Sequence, residues 1–344
     1  MLDAATNYGF FYVNSKGSDF AVADVKKAFG LSKDFFMSPM EEKAACRIQP
    51  NVRSIILSLV SSLTSSSRTG AGRECMLRLL IPSTSGAFNF AEFKDGKAQQ
   101  PLPASLAPHE AEIGHFSELC NKTCNRILTL LALGLDIPDD FFTTRHDPSK
   151  GSTGCILRYL YYPSIFSPAT STYKHDTDVR AGAHSDYGSV TLLFQRPGQP
   201  GLEIRTPEGS WAPVPVQPAA GDGYAEDGFE FPPILVNIGD LLSYWTDGLL
   251  KSTVHRVVFP LAEQRSPNPQ DRYSIVFFCH PLDKTELVPV PSAAVTAYRE
   301  KRAESGIKDE QVGFGGGAGH LAPGKRALTA EEHLHSRLAA TYKF

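Results

Sequence analysis

The chain has 344 residues, a formal charge of −3, and 42% hydrophobic against 21% charged residues, the balance of an ordinary globular protein with a large core. Lys and Arg are dispersed rather than clustered, so neither nucleic acid nor an anionic membrane is indicated as a partner. No apolar run approaches the roughly 20 residues of a membrane span, and residues 1–20 lack the basic head and apolar stretch of a secretory leader, which sets a cytoplasmic expectation.

In chain order, the aromatic and β-branched run Tyr8–Val13 predicts a strand. Ser38, Pro39 and Glu41 then start a helix carrying Glu42 to about Arg47. Residues 51–72 are Ser-rich and follow neither helical nor strand period, which reads as a surface loop. From Pro108 to Gly134, apolar residues recur at three and four (Ile113, Phe116, Leu119, Cys120, Ile127, Leu128, Leu131), predicting a helix stopped by Gly134. Cys120 and Cys124 share its apolar face and read as core. The six cysteines contain no CxxC pair and are too sparse for a disulfide scaffold.

From Cys155 to His280 short apolar or alternating runs follow one another: Cys155–Leu160, Val190–Phe194, Leu202–Ile204, Ile234–Ile238, Ser252–Phe259 and Tyr273–Phe278. Gly- and Pro-rich turns separate them, the pattern of an antiparallel sandwich or barrel. The acidic loop Ala220–Glu230 reads as a solvated insertion. After residue 290 come a Gly-rich stretch, Gly313–Gly319, and a helix capped by Thr329 with Glu332. Gly319–Lys325 matches most of a phosphate-binding loop but has Arg326 where a hydroxyl should meet magnesium, so it reads as coincidence. His333 and His335 fall on different helix faces, and His175 and Asp176 are adjacent; neither pair reads as a site.

The chemistry-bearing pattern is His184-Ser185-Asp186. At a strand end, residues i and i+2 point the same way and can meet one ion. His255, in the alternating run Lys251–Val258, adds a second imidazole. Two His and one carboxylate form a facial triad, which leaves adjacent positions open for a co-substrate and dioxygen and suits iron(II) oxygenases. A structural zinc site would instead close its fourth position. Further on, Arg272 and Ser274 share a strand face. A guanidinium fork with a hydroxyl is a receptor for a carboxylate held away from the metal. Val276 and Phe278 extend that face as an apolar wall. Tyr159, Tyr161, Tyr187 and Phe194 are aromatic candidates for the same wall, with core packing as the alternative.

The order HxD, His, RxS, together with Gly182–Leu193, Val236–Leu242 and Lys251–Arg256, resembles the isopenicillin N synthase-like branch of the 2-oxoglutarate- and iron(II)-dependent oxygenases. Gly9–Val13 and Phe36–Lys43 are similar to that branch as well. The resemblance implies a mainly β fold with flanking helices, a double-stranded β-helix (jelly-roll) core. It divides the chain into an N-terminal region 1–150, an oxygenase core 151–290 and a tail 291–344. It makes His184, Asp186 and His255 the iron(II) ligands, and gives the distal carboxylate of 2-oxoglutarate to Arg272 and Ser274. Leu157–Pro163 matches the segment from which a Tyr, here Tyr162, contacts the co-substrate, although Leu160 stands where many relatives have Asn. Iron(II), 2-oxoglutarate, dioxygen and a small organic substrate are the implied partners, with ascorbate as a candidate reductant; hydroxylation, desaturation or ring closure is the implied outcome. Against the family pattern, the chain opens almost at the Gly-Phe-Phe strand and residues 51–72 are atypical, so the expectation is a shortened start and a mis-spliced or mispredicted insertion. Two other readings stay open at this level. One is an iron oxidase of the same fold that takes its electrons from the substrate; the other is a catalytically disabled relative kept as a binding module.

Overall fold

The computed structural model describes residues 1–45, 86–170, 179–218, 231–305 and 326–342. The Ser-rich stretch 51–72, the pair His175–Asp176, the loop Ala220–Glu230, and the segments Gly313–Gly319 and Gly319–Lys325 lie outside the described residues.

Two antiparallel sheets form the core. The larger runs β1 (Phe10–Val13), β10 (Ile234–Ile238), β7 (Val190–Gln195), β12 (Arg272–Cys279), β5 (Ile156–Tyr162) and β2 (Gly86–Phe90) across its width. The smaller runs β6 (Ala181–His184), β11 (His255–Val257), β8 (Leu202–Arg205) and β9 (Trp211–Pro213). Strands distant in sequence pair directly, as expected of a jelly-roll. The fold is mainly β with flanking helices. Both edges of the larger sheet come from before residue 150, so the N-terminal region is woven into the core: β1 pairs with β10 and β2 with β5.

Period 2 sorts the side chains of the larger sheet. On β12, Tyr273, Ile275 and Phe277 face one way and Arg272, Ser274 and Val276 the other. The first face packs under α2 (Val22–Met37) and α4 (Glu110–Gly134). Phe20, Phe116 and Phe194 meet there at ring separations of 5.0–5.3 Å. Ile113, Phe116, Cys120, Cys124, Ile127, Leu128 and Leu131 form the buried stripe of α4. Full burial of each large apolar side chain contributes ~1.5–3 kcal/mol, and Phe116→Ala would cost about 3–5 kcal/mol. The second face looks toward the smaller sheet over Phe10, Leu235, Leu202, Val214 and Val257.

Several expectations are corrected. α4 ends at Gly134 as expected, but the left-handed turn that follows is taken by Asp136, at φ 55°. What Gly134 provides is space, because a Cβ there would sit 3.3 Å from the Leu2 side chain. The run around His255 is a strand only over His255–Val257. Tyr159 and Phe194 belong to the helix-side core, not to a pocket wall: Tyr159 packs edge-on against Phe90, and Phe194 against Phe20. Five helices carried no sequence expectation: α1 (Leu2–Asn7), α2, α5 (Asp240–Trp245), α6 (Leu261–Gln264) and α7 (Ala293–Ser305). The tail helix α8 (Ala330–Tyr342) has the reciprocal cap expected, with Glu332 accepting from Thr329 N at 2.9 Å and Glu332 N donating to Thr329 Oγ1 at 3.3 Å.

Candidate metal centre and co-substrate pocket

His184 ends β6 and lies directly across from His255 on β11 in the antiparallel register. Cross-strand neighbours hold their side chains side by side, and the two rings stand 4.4 Å apart between centroids. Asp186, two residues on, turns its Oδ1 toward both: 3.9 Å from His184 Nε2 and 3.7 Å from His255 Nε2. The three donor atoms lie within 4.8 Å of one another, the one such His/Cys/Asp/Glu group among the described residues.

Each donor is oriented by a neighbour. Nδ1 of His184 donates to the Gly182 carbonyl at 2.7 Å, and Nδ1 of His255 to the Thr253 carbonyl at 3.1 Å. A carbonyl only accepts, so both rings carry their proton on Nδ1 and leave the Nε2 lone pair for a metal. Asn237 Nδ2 donates to Asp186 Oδ2 at 2.8 Å, which leaves Oδ1 for the ion. Phe10 meets the His255 ring edge-on at 5.6 Å and fills the space behind it. Burial would raise the Asp186 carboxyl, but His255, His184 and the hydrogen bonds from Asn237 and Thr191 outweigh it, and the group is held below its ordinary range. Burial pushes His255 down, against the pull of Asp186. A neutral imidazole beside an ionised carboxylate is the state that binds a divalent cation. His184, with its side chain 45% exposed, forms the open side, while Asp186 and His255 are closed in.

Deeper in the same interior, Arg272 is 2% exposed. Its guanidinium donates to Gln199 O at 3.3 Å, Ser274 Oγ at 3.2 Å and Gln195 Oε1 at 3.4 Å, all neutral acceptors. No carboxylate among the described residues pairs with it. Burial therefore lowers its pKa to about 10. Tyr162 faces Arg272 across the β5–β12 ladder, with its ring 5.3 Å from the guanidinium carbon. The nearby Arg180, by contrast, is bound by both oxygens of Glu263. One further polar atom here is orphaned: Gln195 Nε2 is buried without an acceptor. A lone buried cation and an idle amide donor make a site that wants an anion, since each costs free energy until a charge-matched acceptor arrives. The pocket thus fits the distal carboxylate of 2-oxoglutarate, and the triad fits a divalent metal with open positions.

Residues 153–281 match the family described as the 2OG-Fe(II) oxygenase superfamily, and residues 1–76 match the N-terminal region of a non-haem dioxygenase in morphine synthesis. The UPF0676 protein of Schizosaccharomyces pombe is 33% identical over 294 residues, 84% of this chain and 79% of its own. The chain belongs to the 2-oxoglutarate- and iron(II)-dependent oxygenase superfamily. It is thereby an oxidoreductase that works with iron(II) and 2-oxoglutarate. The homoarginine-6-hydroxylase of Glycine max is 26% identical over 326 residues, 90% of this oxygenase and 85% of its own length. In fold, the oxygenase resembles a Neurospora crassa protein crystallised with alpha-ketoglutarate and thymine. That likeness has a TM-score of 0.68 over 99% of this chain and 90% of the other, at 24% identity.

The six residues expected to hold metal or co-substrate, His184, Asp186, His255, Arg272, Ser274 and Tyr162, lie on this inner face or its rim. Sequence reasoning missed Asn237, Gln195 and Gln199. Asn237 had a signal, being the single polar residue inside the apolar run Ile234–Ile238, where an unpaired amide would be costly. Gln195 and Gln199 had none, because their contacts depend on a strand pairing that local pattern does not encode.

Proposed function

We propose that His184, Asp186 and His255 hold iron(II), that Arg272 and Ser274 receive the distal carboxylate of 2-oxoglutarate with Tyr162 beside them, and that the enzyme oxidises a C–H bond of a small organic substrate. The observation that carries this reading is the buried, carboxylate-free guanidinium of Arg272 in the same interior as the triad. When bound, iron(II) and 2-oxoglutarate supply the activation of dioxygen that C–H cleavage requires. The chain's own part is geometric and electrostatic. Arg272 fixes one end of the co-substrate through a charge-assisted fork, Ser274 Oγ accepts from Arg272 and keeps its own proton to donate, and Gln195 Nε2 offers a third donor. Asn237 holds Asp186 so that Oδ1 faces the ion. The apolar side chains between the sheets keep bulk water from the reacting centre. Hydroxylation, desaturation and ring closure all use this arrangement, and the substrate decides among them.

The test is anaerobic loading with iron(II) followed by 2-oxoglutarate. A visible charge-transfer band that is absent in His255→Ala, and that needs far more 2-oxoglutarate in Arg272→Met, supports the reading. Iron binding without the band would favour an oxidase that does not use 2-oxoglutarate, and absence of iron binding would point to a disabled relative.

A further inference from the structure

The tail helix α8 reaches into the back of the metal loop. Arg337 lies on it with its side chain 10% exposed, and Nη2 sits 2.5 Å from Asp240 Oδ2, a carboxylate with only 2% exposure. Asp240 opens α5 and takes hydrogen bonds from two other segments: Ser185 Oγ at 3.0 Å on Oδ2 and Ser252 Oγ at 2.6 Å on Oδ1. Arg337 Nη2 also donates to Ser185 Oγ at 3.3 Å, and its guanidinium lies 5.5 Å from the centre of the Tyr187 ring. Asp240 N donates to Asp186 O at 2.7 Å. Ser185 stands between two of the proposed ligands and Ser252 leads into the strand of the third. One carboxylate therefore ties both halves of the triad together, and the helix supplies the cation that makes its burial tolerable.

We propose that Arg337 is a positioning residue for the metal centre: through Asp240 it locks the Ser185 and Ser252 segments, so that the C-terminal helix sets how tightly the oxygenase holds its metal. This rests on the reading of His184, Asp186 and His255 as ligands. Removing Arg337 leaves a buried, uncompensated charge whose relief is to draw in water or swing Asp240 outward. Either movement releases Ser185 and Ser252 and widens the gap between the His184–Asp186 loop and β11. Loss of partners that orient metal ligands weakens metal binding by about 10–100-fold in general.

The test measures Mn(II) affinity of the full chain by the electron paramagnetic resonance signal of free Mn(II), which needs neither turnover nor substrate. Arg337→Met should bind Mn(II) about 10–100-fold more weakly than the parent, and Arg337→Lys should recover most of the loss. A double variant, Arg337→Met with Asp240→Asn, removes both charges. It serves if the single variant does not fold, and it should still bind weakly, because the one carbonyl oxygen of Asn cannot accept from both Ser185 and Ser252 as the two carboxylate oxygens do. A folded variant of either kind with the parent's Mn(II) affinity overturns the proposal, whatever its melting temperature. If the parent binds Mn(II) and His255→Ala does not, the triad reading stands independently; if neither binds, both readings fall together.

Discussion

Replacing Arg272 by Met separates the two things this guanidinium can do, because its effects on the fold and on the co-substrate have different sizes. In the protein alone the charge is poorly compensated. The displacement of its pKa to about 10 corresponds to roughly 3 kcal/mol against the charged form, which an apolar side chain of similar length relieves. Against that gain, Gln195 Oε1, Gln199 O and Ser274 Oγ lose their donor, at ~1–3 kcal/mol for each acceptor left dry. At the low end of that range the three acceptors together cost about as much as the relieved charge gains, and on that balance the unliganded variant should melt within about 5 °C of the parent. Binding of 2-oxoglutarate has no such compensation. Loss of one partner of a buried charge pair costs ~2–5 kcal/mol, or a Kd raised by at least about 30-fold. Calorimetric titration of the Mn(II)-loaded protein without oxygen, beside thermal melts without ligand, reads both quantities. A variant that binds 2-oxoglutarate like the parent, or whose unliganded form loses more than about 10 °C, would refute the reasoning: the cation would then serve the fold and not an anionic ligand.

Three other perturbations follow from the same structure. Burial lowers His146 and His280 to about 4 and His333 to about 3. The fold favours their neutral forms, so that stability is complete above about pH 6.5 and is lost as pH falls toward 4, where the unfolded chain binds protons first. Each ring contributes a slope of up to ~1.4 kcal/mol per pH unit. Melts of the metal-free protein should drop steeply below pH 6.5, and a flat profile down to pH 4.5 would contradict burial of the three rings. Gly239→Ala would place a Cβ 2.2 Å from the Gly188 carbonyl oxygen, backbone on backbone, beside Asp240. Destabilisation of at least ~1–3 kcal/mol is expected by denaturant titration, and a neutral result would mean that this approach is looser than described. Gln195→Leu should weaken 2-oxoglutarate by about 3–10-fold, the worth of one hydrogen bond. An unchanged Kd in the same calorimetric titration would remove Gln195 from the pocket.

What could be read from sequence was whatever local pattern encodes. β5, β7, β8, β10 and β12 stand within a residue or two of the apolar runs, because period 2 and turn residues act over a few positions. The ligand pattern was legible for a similar reason: i and i+2 at a strand end share a face whatever the fold. β6 was anticipated only as the strand end that carries His184, because Ala181–His184 has little β-propensity; its extent and place come from pairing with β11. Gly134 marked the end of α4, but the left-handed turn after it falls on Asp136, which no turn pattern announced. The aromatic candidates divided by face: Tyr159 and Phe194 look toward the helices, and only the pairing of β5, β7 and β12 decides which face is inside. Arg337 left no trace, since an arginine on a tail helix reads as a solvated charge until the partner it buries against is known.

The most direct test of the central claim is a crystal structure of the full chain grown without oxygen with Mn(II) and 2-oxoglutarate, with the metal located by anomalous scattering. One Mn(II) site is expected, bonded to His184 Nε2, Asp186 Oδ1 and His255 Nε2, with a 2-oxoglutarate whose distal carboxylate lies on Arg272 and Ser274. Metal at any other cluster, or a co-substrate carboxylate turned away from Arg272, would contradict it.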